Sequence, residues 1–185
     1  MSSRTRASSP GGVIDLFSRV LDNNKFASAS SEAFANVGRV YLCPIEVPFR
    51  VTIDRIGYAV GAAVAGNVRQ GLYARGVEAF PDLPDGGVLL AESASEAQPG
   101  TNRIQWFTVP AVQLDAGLYF SGIQADDIAA TFYRQVRYDS WNPLAGLTYP
   151  SMYYDHGYGP FTNPCPATTL SPRFYFAYLW VISIP

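Results

Sequence analysis

Apolar and polar residues alternate in short runs along most of the chain, and Gly, Pro, Asn and Asp separate the runs. A period of two places successive side chains on opposite faces of a strand. Strands are therefore predicted over residues 40–47 (with a break at Pro44), 49–60, 68–73, 88–93, 102–109, 117–123, 130–138 and 173–184. In FRVTIDRIGYAV, Phe49, Val51 and Ile53 share one face, and the phase switches near Arg55 and Ile56, which predicts a bulge or bend. Asp54 and Arg55, as strand neighbours, are expected to face opposite sides and to seek partners on adjacent strands. About eight short strands joined by turn residues point to a sandwich or barrel. The expected fold is all-β: an antiparallel β-sandwich, jelly-roll-like, with an N-terminal arm. No long segment of helical period follows Val20, which argues against α/β alternation, and no repeat of fixed period is present.

Two stretches break the pattern. Residues 1–12, MSSRTRASSPGG, are small and polar and are expected to be held by a partner or a neighbouring subunit. Val13, Ile14, Leu16, Phe17, Val20 and Leu21 follow, at a spacing that suits a short amphipathic helix or an irregular arm ending in the Asp22-Asn23-Asn24 turn. Residues 26–35, rich in Ser and Ala, give no firm signal. Residues 1–38 are thus read as an anchoring and assembly arm, and residues 39–185 as the sandwich. Within the sandwich, residues 141–166 are dense in aromatics, Pro and Gly without clean alternation. A loop of that length in a compact domain is usually functional or packed on a neighbour.

Composition narrows the function classes. Charged residues make up only 15% of the chain, against the usual ~25%, so much of the surface is neutral and tolerates close neighbours. Net charge is −2 and the pI is near 5.3, so no broad basic field exists for nucleic acid. Lys25 is the only lysine among 13 basic residues. Arginine forms fixed bidentate pairs and is favoured at interfaces, and nucleotide-composition bias explains the skew equally well. Cys43 and Cys165 are expected as free, mostly buried thiols. No apolar core marks residues 1–12 as a signal peptide, and no apolar run reaches the roughly 18 residues of a membrane span. The expectation is a soluble protein made in the cytoplasm, with no membrane partner.

Four pieces carry a resemblance: VTIDRIGYAV (51–60), NVRQGLYARG (67–76), PDGGVLLAES (84–93) and VQLDAGLYFSGI (112–123), with PATTLSPRFYFAYLWVISIP (166–185) closing the chain. Together they resemble a β-sandwich domain that recurs in tailed-phage virion structural proteins. The resemblance implies a place in the virion as a tail-fibre, head-fibre or decoration component. The partners would then be other capsid or tail proteins and sister copies, a trimer being favoured. Residues 141–166 look like an insertion relative to that pattern, and the N-terminal arm is particular to this chain. The motifs have physical reasons of their own. Gly71 and Gly117 let a strand bend or a neighbour pack close. Leu72 and Leu118 are expected to point inward, and Tyr73 and Tyr119 the other way.

Chemistry is sparse. His156 is the only histidine, and no G-x-S-x-G elbow accompanies it. A pair with Cys165 is conceivable, but the flanking Pro164 and Pro166 read as a rigid turn. Asp155-His156 and Asp126-Asp127 are poor material for zinc or for the about 6–8 oxygen ligands of calcium. Asp126, Asp127, Asp139 and Asp155 could supply the paired acids of a glycosidase, yet scattered Asp is ordinary in turns. The expectation is no enzyme, no metal and no cofactor. The candidate contact site is Trp141, Tyr149, Tyr153, Tyr154, Asp155, His156, Tyr158 and Phe161. These aromatics fill an interface or cap the sandwich in one reading. In the other they stack on the sugar rings of a host-surface glycan, and the chain is a carbohydrate-binding adhesin.

Overall fold

The fold is given by a computed structural model, which describes residues 13–14, 29–76, 84–136, 151–171, 173–175 and 177–183. In chain order the strands are β1 (Val13–Ile14), β2 (Ala29–Ala33), β3 (Arg39–Val47), β4 (Val51–Val60), β5 (Asn67–Ala74), β6 (Leu89–Glu92) and β7 (Glu96–Ala97). They continue as β8 (Arg103–Leu114), β9 (Gly117–Ala125), β10 (Thr131–Val136), β11 (Ser151–Asp155), β12 (Thr169–Ser171), β13 (Arg173–Tyr175) and β14 (Ala177–Ser183). Sheet A has the order β1-β14-β4-β10-β13, with β2 beside β10 and β8 beside β4. Sheet B has the order β12-β11-β3-β9-β5-β6, with β7 beside β5. The pairings are antiparallel, and no described residue is helical. The protein is an all-β antiparallel sandwich.

Alternation decides what lies between the sheets. Tyr41, Cys43, Val68 and Ile123 of sheet B meet Tyr58, Val60, Phe107 and Phe132 of sheet A in one inner cluster. Ile45, Val47 and Leu72 meet Val51, Ile53, Ile56, Leu114 and Leu179 in a second. A third cluster holds Val40, Leu42, Tyr73, Phe120, Met152 and Tyr154, all from sheet B, joined by Phe161 and Cys165 of the following loop. Val40 and Leu42 alternate with Tyr41 and Cys43 on β3, so this third cluster lies on the outer face of sheet B. The central strands of sheet B are therefore buried on both faces.

The phase switch in β4 occurs one residue earlier than expected. Ile53 pairs with Val112 and Arg55 with Thr108, so Asp54 stands opposite a three-residue bulge that contains Pro110. The β14 register slips at the same level, between Trp180 and Ser183. The bulge also changes the expectation for Asp54 and Arg55. They do not face opposite sides, and Arg55 Nε lies 3.8 Å from Asp54 Oδ1. Strand β8 runs past Val109 through Pro110, because its far side has no strand partner among the described residues. Similarly β3 continues unbroken through Pro44, since β11 pairs with β3 only as far as Leu42.

Three further expectations change. Ser151–Asp155, inside the stretch read as a loop, forms a strand, because Met152 and Tyr154 complete the outer cluster. Leu72 and Tyr73 face inward and outward as expected, but Leu118 packs on the outer cluster and Tyr119 on the inner one. The reversal follows from register: Tyr119 lies opposite Ile45, and residues opposite each other share a face. Ala29–Ala33, without signal in the sequence, pairs with β10. In the arm, Val13 and Ile14 form a strand opposite Trp180 and Leu179, while Leu16, Phe17, Val20 and Leu21 lie outside the described residues.

The outer cluster depends on a pair of glycines. Gly71 and Gly122 are register partners on β5 and β9. A Cβ at Gly122 would lie 2.9 Å from the Phe161 ring and one at Gly71 3.2 Å from it, whereas nothing lies within 4 Å of a Cβ at Gly159. Gly122→Ala is expected to cost about 1–3 kcal/mol through overpacking. Gly159→Ala is expected to stay within about 0.5 kcal/mol of the parent. Urea unfolding of both variants checks the contrast.

Candidate functional site

The candidate site falls on β11 and on the segment 156–168 that follows it. That segment lies over the outer face of sheet B as a cover. Gly38, at φ +70°, lacks the side chain that would collide with the Gly157–Tyr158 backbone, so the segment approaches closely there. Cys165 exchanges backbone hydrogen bonds with the turn below, Gly86 N–H donating to its carbonyl at 2.8 Å and its own N–H donating to Gly87 at 2.9 Å. Thr168 donates from its hydroxyl to Asp85 at 2.5 Å, and Leu89 N–H donates to Asn163 Oδ1 at 3.1 Å. Glu92 Oε1 accepts the Phe161 N–H at 3.0 Å and Arg69 at 3.1 Å.

Of the six expected contact residues that are described, Phe161 and Tyr154 are buried. Phe161 is 5% exposed and sits in the glycine slot, edge-on to Tyr73. Tyr154 is equally buried. Its hydroxyl donates to Tyr73 Oη at 2.9 Å, and Tyr73 in turn donates to the Thr162 carbonyl at 2.7 Å. Burial pushes the Tyr154 phenol up to about 12 and raises Tyr73 further, with Tyr154 adding to the shift. Tyr158 is half-buried, hydrogen-bonded to the Ser95 hydroxyl and facing the Arg69 guanidinium at 6.0 Å. His156 is exposed but engaged by its own segment: Nε2–H donates to the Pro160 carbonyl at 2.9 Å, and Thr162 Oγ1 donates to Nδ1 at 3.3 Å. Trp141 and Tyr149 lie outside the described residues.

Asp155 is exposed, like His156, and Tyr153 is half-buried. Arg39 grips Asp155 through two parallel bonds of 2.7 and 2.9 Å and lays its guanidinium 4.0 Å above the Tyr153 ring. The Arg39 hydrogen bonds hold the Asp155 carboxyl below its usual range. The outward side of Tyr153 is thus occupied by a cation rather than left open as a platform.

The thiols have no route to nucleophilic chemistry in this state. Cys43 belongs to an inner cluster and Cys165 to the outer one, so sheet B separates them, and both are free and buried. Burial, with Asp85 nearby, pushes the Cys165 thiol up to about 12, which leaves it protonated at neutral pH. Asp126 and Asp127 are used in a turn: Asp126 accepts from Asn67 N–H at 2.6 Å and Asp127 from Ala129 N–H at 2.7 Å. Among the described residues no group of three His, Cys, Asp or Glu could hold a metal ion.

A second surface was not singled out by the sequence. On the outer face of sheet A, Trp106 and Trp180 meet edge to face at 5.3 Å and 82°, and Arg55 lies 5.2 Å over Trp180. The signal was present in the alternation of Ile104 with Trp106 and of Trp180 with Ile182. What the sequence could not supply was the register that makes Gly57 face Trp106 and Arg55 face Trp180.

No protein-family model matches the chain, and no curated protein matches it.

Two outcomes follow from the cover. Tyr73→Phe strands the Thr162 carbonyl and the Tyr154 hydroxyl and is expected to cost about 1–3 kcal/mol in urea unfolding. In the alkaline range, an unfolded tyrosine loses its proton near about 10, while Tyr154 and Cys165 in the folded chain hold theirs to about 12. The unfolded state therefore binds fewer protons across that window, and stability falls as pH rises through it. Urea unfolding at a series of alkaline pH values, with tyrosinate absorbance followed alongside, reads the slope.

Proposed function

We propose that this chain is a structural protein of the exterior of a tailed-phage particle, a decoration, head-fibre or tail-fibre component that acts through protein–protein assembly. The virion class comes from the sequence resemblance over residues 51–123 and the closing strand. The mode of action rests on one observation: the described aromatics of the candidate site are spent within the chain. Tyr154 and Phe161 are buried, and Tyr153 lies under Arg39. A sugar ring needs an open aromatic face, and among the described residues of the site Tyr154 and Phe161 offer none, while Arg39 lies over Tyr153. His156 and Cys165 are likewise engaged or buried, so the reading is one of contact without catalysis. In this reading the chain works in a homo-oligomer, residues 1–38 fasten it to a capsid or tail protein, and it needs no cofactor.

The test is made on particles of the phage whose genome carries the chain. Mass spectrometry of purified particles is expected to find it, and deletion of residues 1–21 is expected to remove it while particles still form. Tyr153→Ala is expected to leave adsorption to host cells unchanged. A chain missing from intact particles overturns the proposal. Glycan-array binding that Tyr153→Ala abolishes would replace it with the adhesin reading.

A further inference from the structure

We propose that a single water molecule is built into the protein between the cover and sheet B, accepting from Arg69 Nε–H and donating to Gln124 Oε1. Arg69 on β5 and Gln124 on β9 are register partners, so their side chains share a face of the sheet. It is the outer face, because two residues further along the same strands Gly71 and Gly122 face the Phe161 ring. The cover lies over the pair. Gln124 Nε2 donates to the Gly159 carbonyl, and the Tyr158 ring stands 6.0 Å from the Arg69 guanidinium. Gln124 is 0% exposed, and Arg69 Nε is buried although its side chain as a whole is 21% exposed. Among the described residues Arg69 Nε–H finds no acceptor and Gln124 Oε1 no donor. A donor and an acceptor thus stand at one level of two adjacent strands, both out of bulk solvent and neither satisfied by the chain. Buried polar groups of folded proteins are satisfied by the chain or by ordered water.

Neither side chain can turn to the other without loss. Arg69 Nη1 donates to Glu92 Oε1 at 3.1 Å, and the same oxygen accepts the Phe161 N–H at 3.0 Å. Swinging the guanidinium away would leave Glu92 without its cation beneath the cover. Turning the Gln124 amide over would set Oε1 against the Gly159 carbonyl, acceptor against acceptor. The bridging group must therefore accept from one residue and donate to the other at the same time. Water does both. An anion would accept from Arg69 but face the Gln124 oxygen and the Glu92 carboxylate. A cation would take the Gln124 oxygen but meet the guanidinium. The nearby Tyr158 and Ser95 hydroxyls are bonded to each other. Gly157 and Gly159, on either side of Tyr158, have nothing within 4 Å of a Cβ. The cover touches the sheet sparsely along this stretch, and the water braces the two side chains on which it rests.

The site belongs to the folded chain itself and does not depend on a place in a particle. A crystal structure of the full chain, at a resolution that shows ordered water, is expected to place one water within about 3.2 Å of both Arg69 Nε and Gln124 Oε1. In solution, oxygen-17 magnetic relaxation dispersion of the parent is compared with that of Arg69→Lys, near-UV circular dichroism confirming that the variant folds. Lysine keeps a cation for Glu92 and puts a methylene where Nε stood. The variant is expected to lose the dispersion of about one long-lived water. A direct Arg69–Gln124 hydrogen bond in the crystal overturns the proposal. So does a metal ion or buffer anion between them, a site open to bulk solvent, or the two atoms left unpaired with no water near. A water seen in the crystal, with equal dispersion from the parent and the folded variant, is a surface water in fast exchange and overturns it as well. Should Arg69→Lys fail to fold, the crystal structure of the parent decides.

Discussion

The central strands of sheet B bury side chains on both faces, and much of the molecule's architecture answers that constraint. On β3 the run from Val40 to Ile45 is buried residue by residue. Apolar side chains point both toward sheet A and away from it. An outer layer that exposed Leu42, Tyr73, Phe120, Met152 and Tyr154 would leave a large apolar patch in water, at about 25 cal/mol for each Å². The segment 156–168 removes that exposure. It contributes only Phe161 and Cys165 to the cluster, and its backbone cannot make a regular ladder across the sheet. Its polar groups are instead satisfied one at a time, by Glu92, Asp85, Gly86, Gly87, Tyr73 and the Gln124 amide. Buried backbone groups need such partners, so the scatter of single side-chain bonds is the expected form for an irregular cover.

Sheet A answers a different constraint. Its strand β4 keeps Val51 and Ile53 inward before Asp54 and Ile56, Tyr58 and Val60 inward after it. One extra residue is the only way to hold both sets on the same face of a strand whose period is two. The bulge at Asp54 therefore serves the core. Its cost falls on Asp54, whose Oδ1 is buried without a hydrogen bond and lies 3.8 Å from Arg55 Nε.

The fold was largely legible because strand alternation is a local property. The β4 switch could be placed within one residue from the residues alone, and Cys43 and Cys165 are free and buried as a pair of isolated small hydrophobes would be. What was not legible depended on register. Leu118 and Tyr119 repeat the Gly-Leu-Tyr wording of residues 71–73, yet their faces are exchanged, because β9 meets β3 with Tyr119 opposite Ile45. Ser151–Asp155 reads as loop in a stretch full of Pro and Gly, and becomes a strand because Arg39–Leu42 offers it an edge. The candidate site suffered from the same limit. A run of tyrosines beside His and Asp has the composition of a recognition surface, and the same composition suits an amphipathic cover that must bury rings and satisfy hydroxyls. Only pairing Gly71 with Gly122 distinguishes the two, and these lie far apart in sequence.

Aromatic residues lie on the outer faces of both sheets. Over sheet B, tyrosine hydroxyls are tied in a chain from Tyr154 to Tyr73 to the Thr162 carbonyl, and the rings are closed off. Such residues hold the fold and have little left to offer a partner. On sheet A, Trp106 and Trp180 meet edge to face on the outer side of strands whose inner side fills the core, and both are half-buried. The abundance of aromatics alone therefore does not mark a recognition surface, because rings of the same kind close the outer face of sheet B.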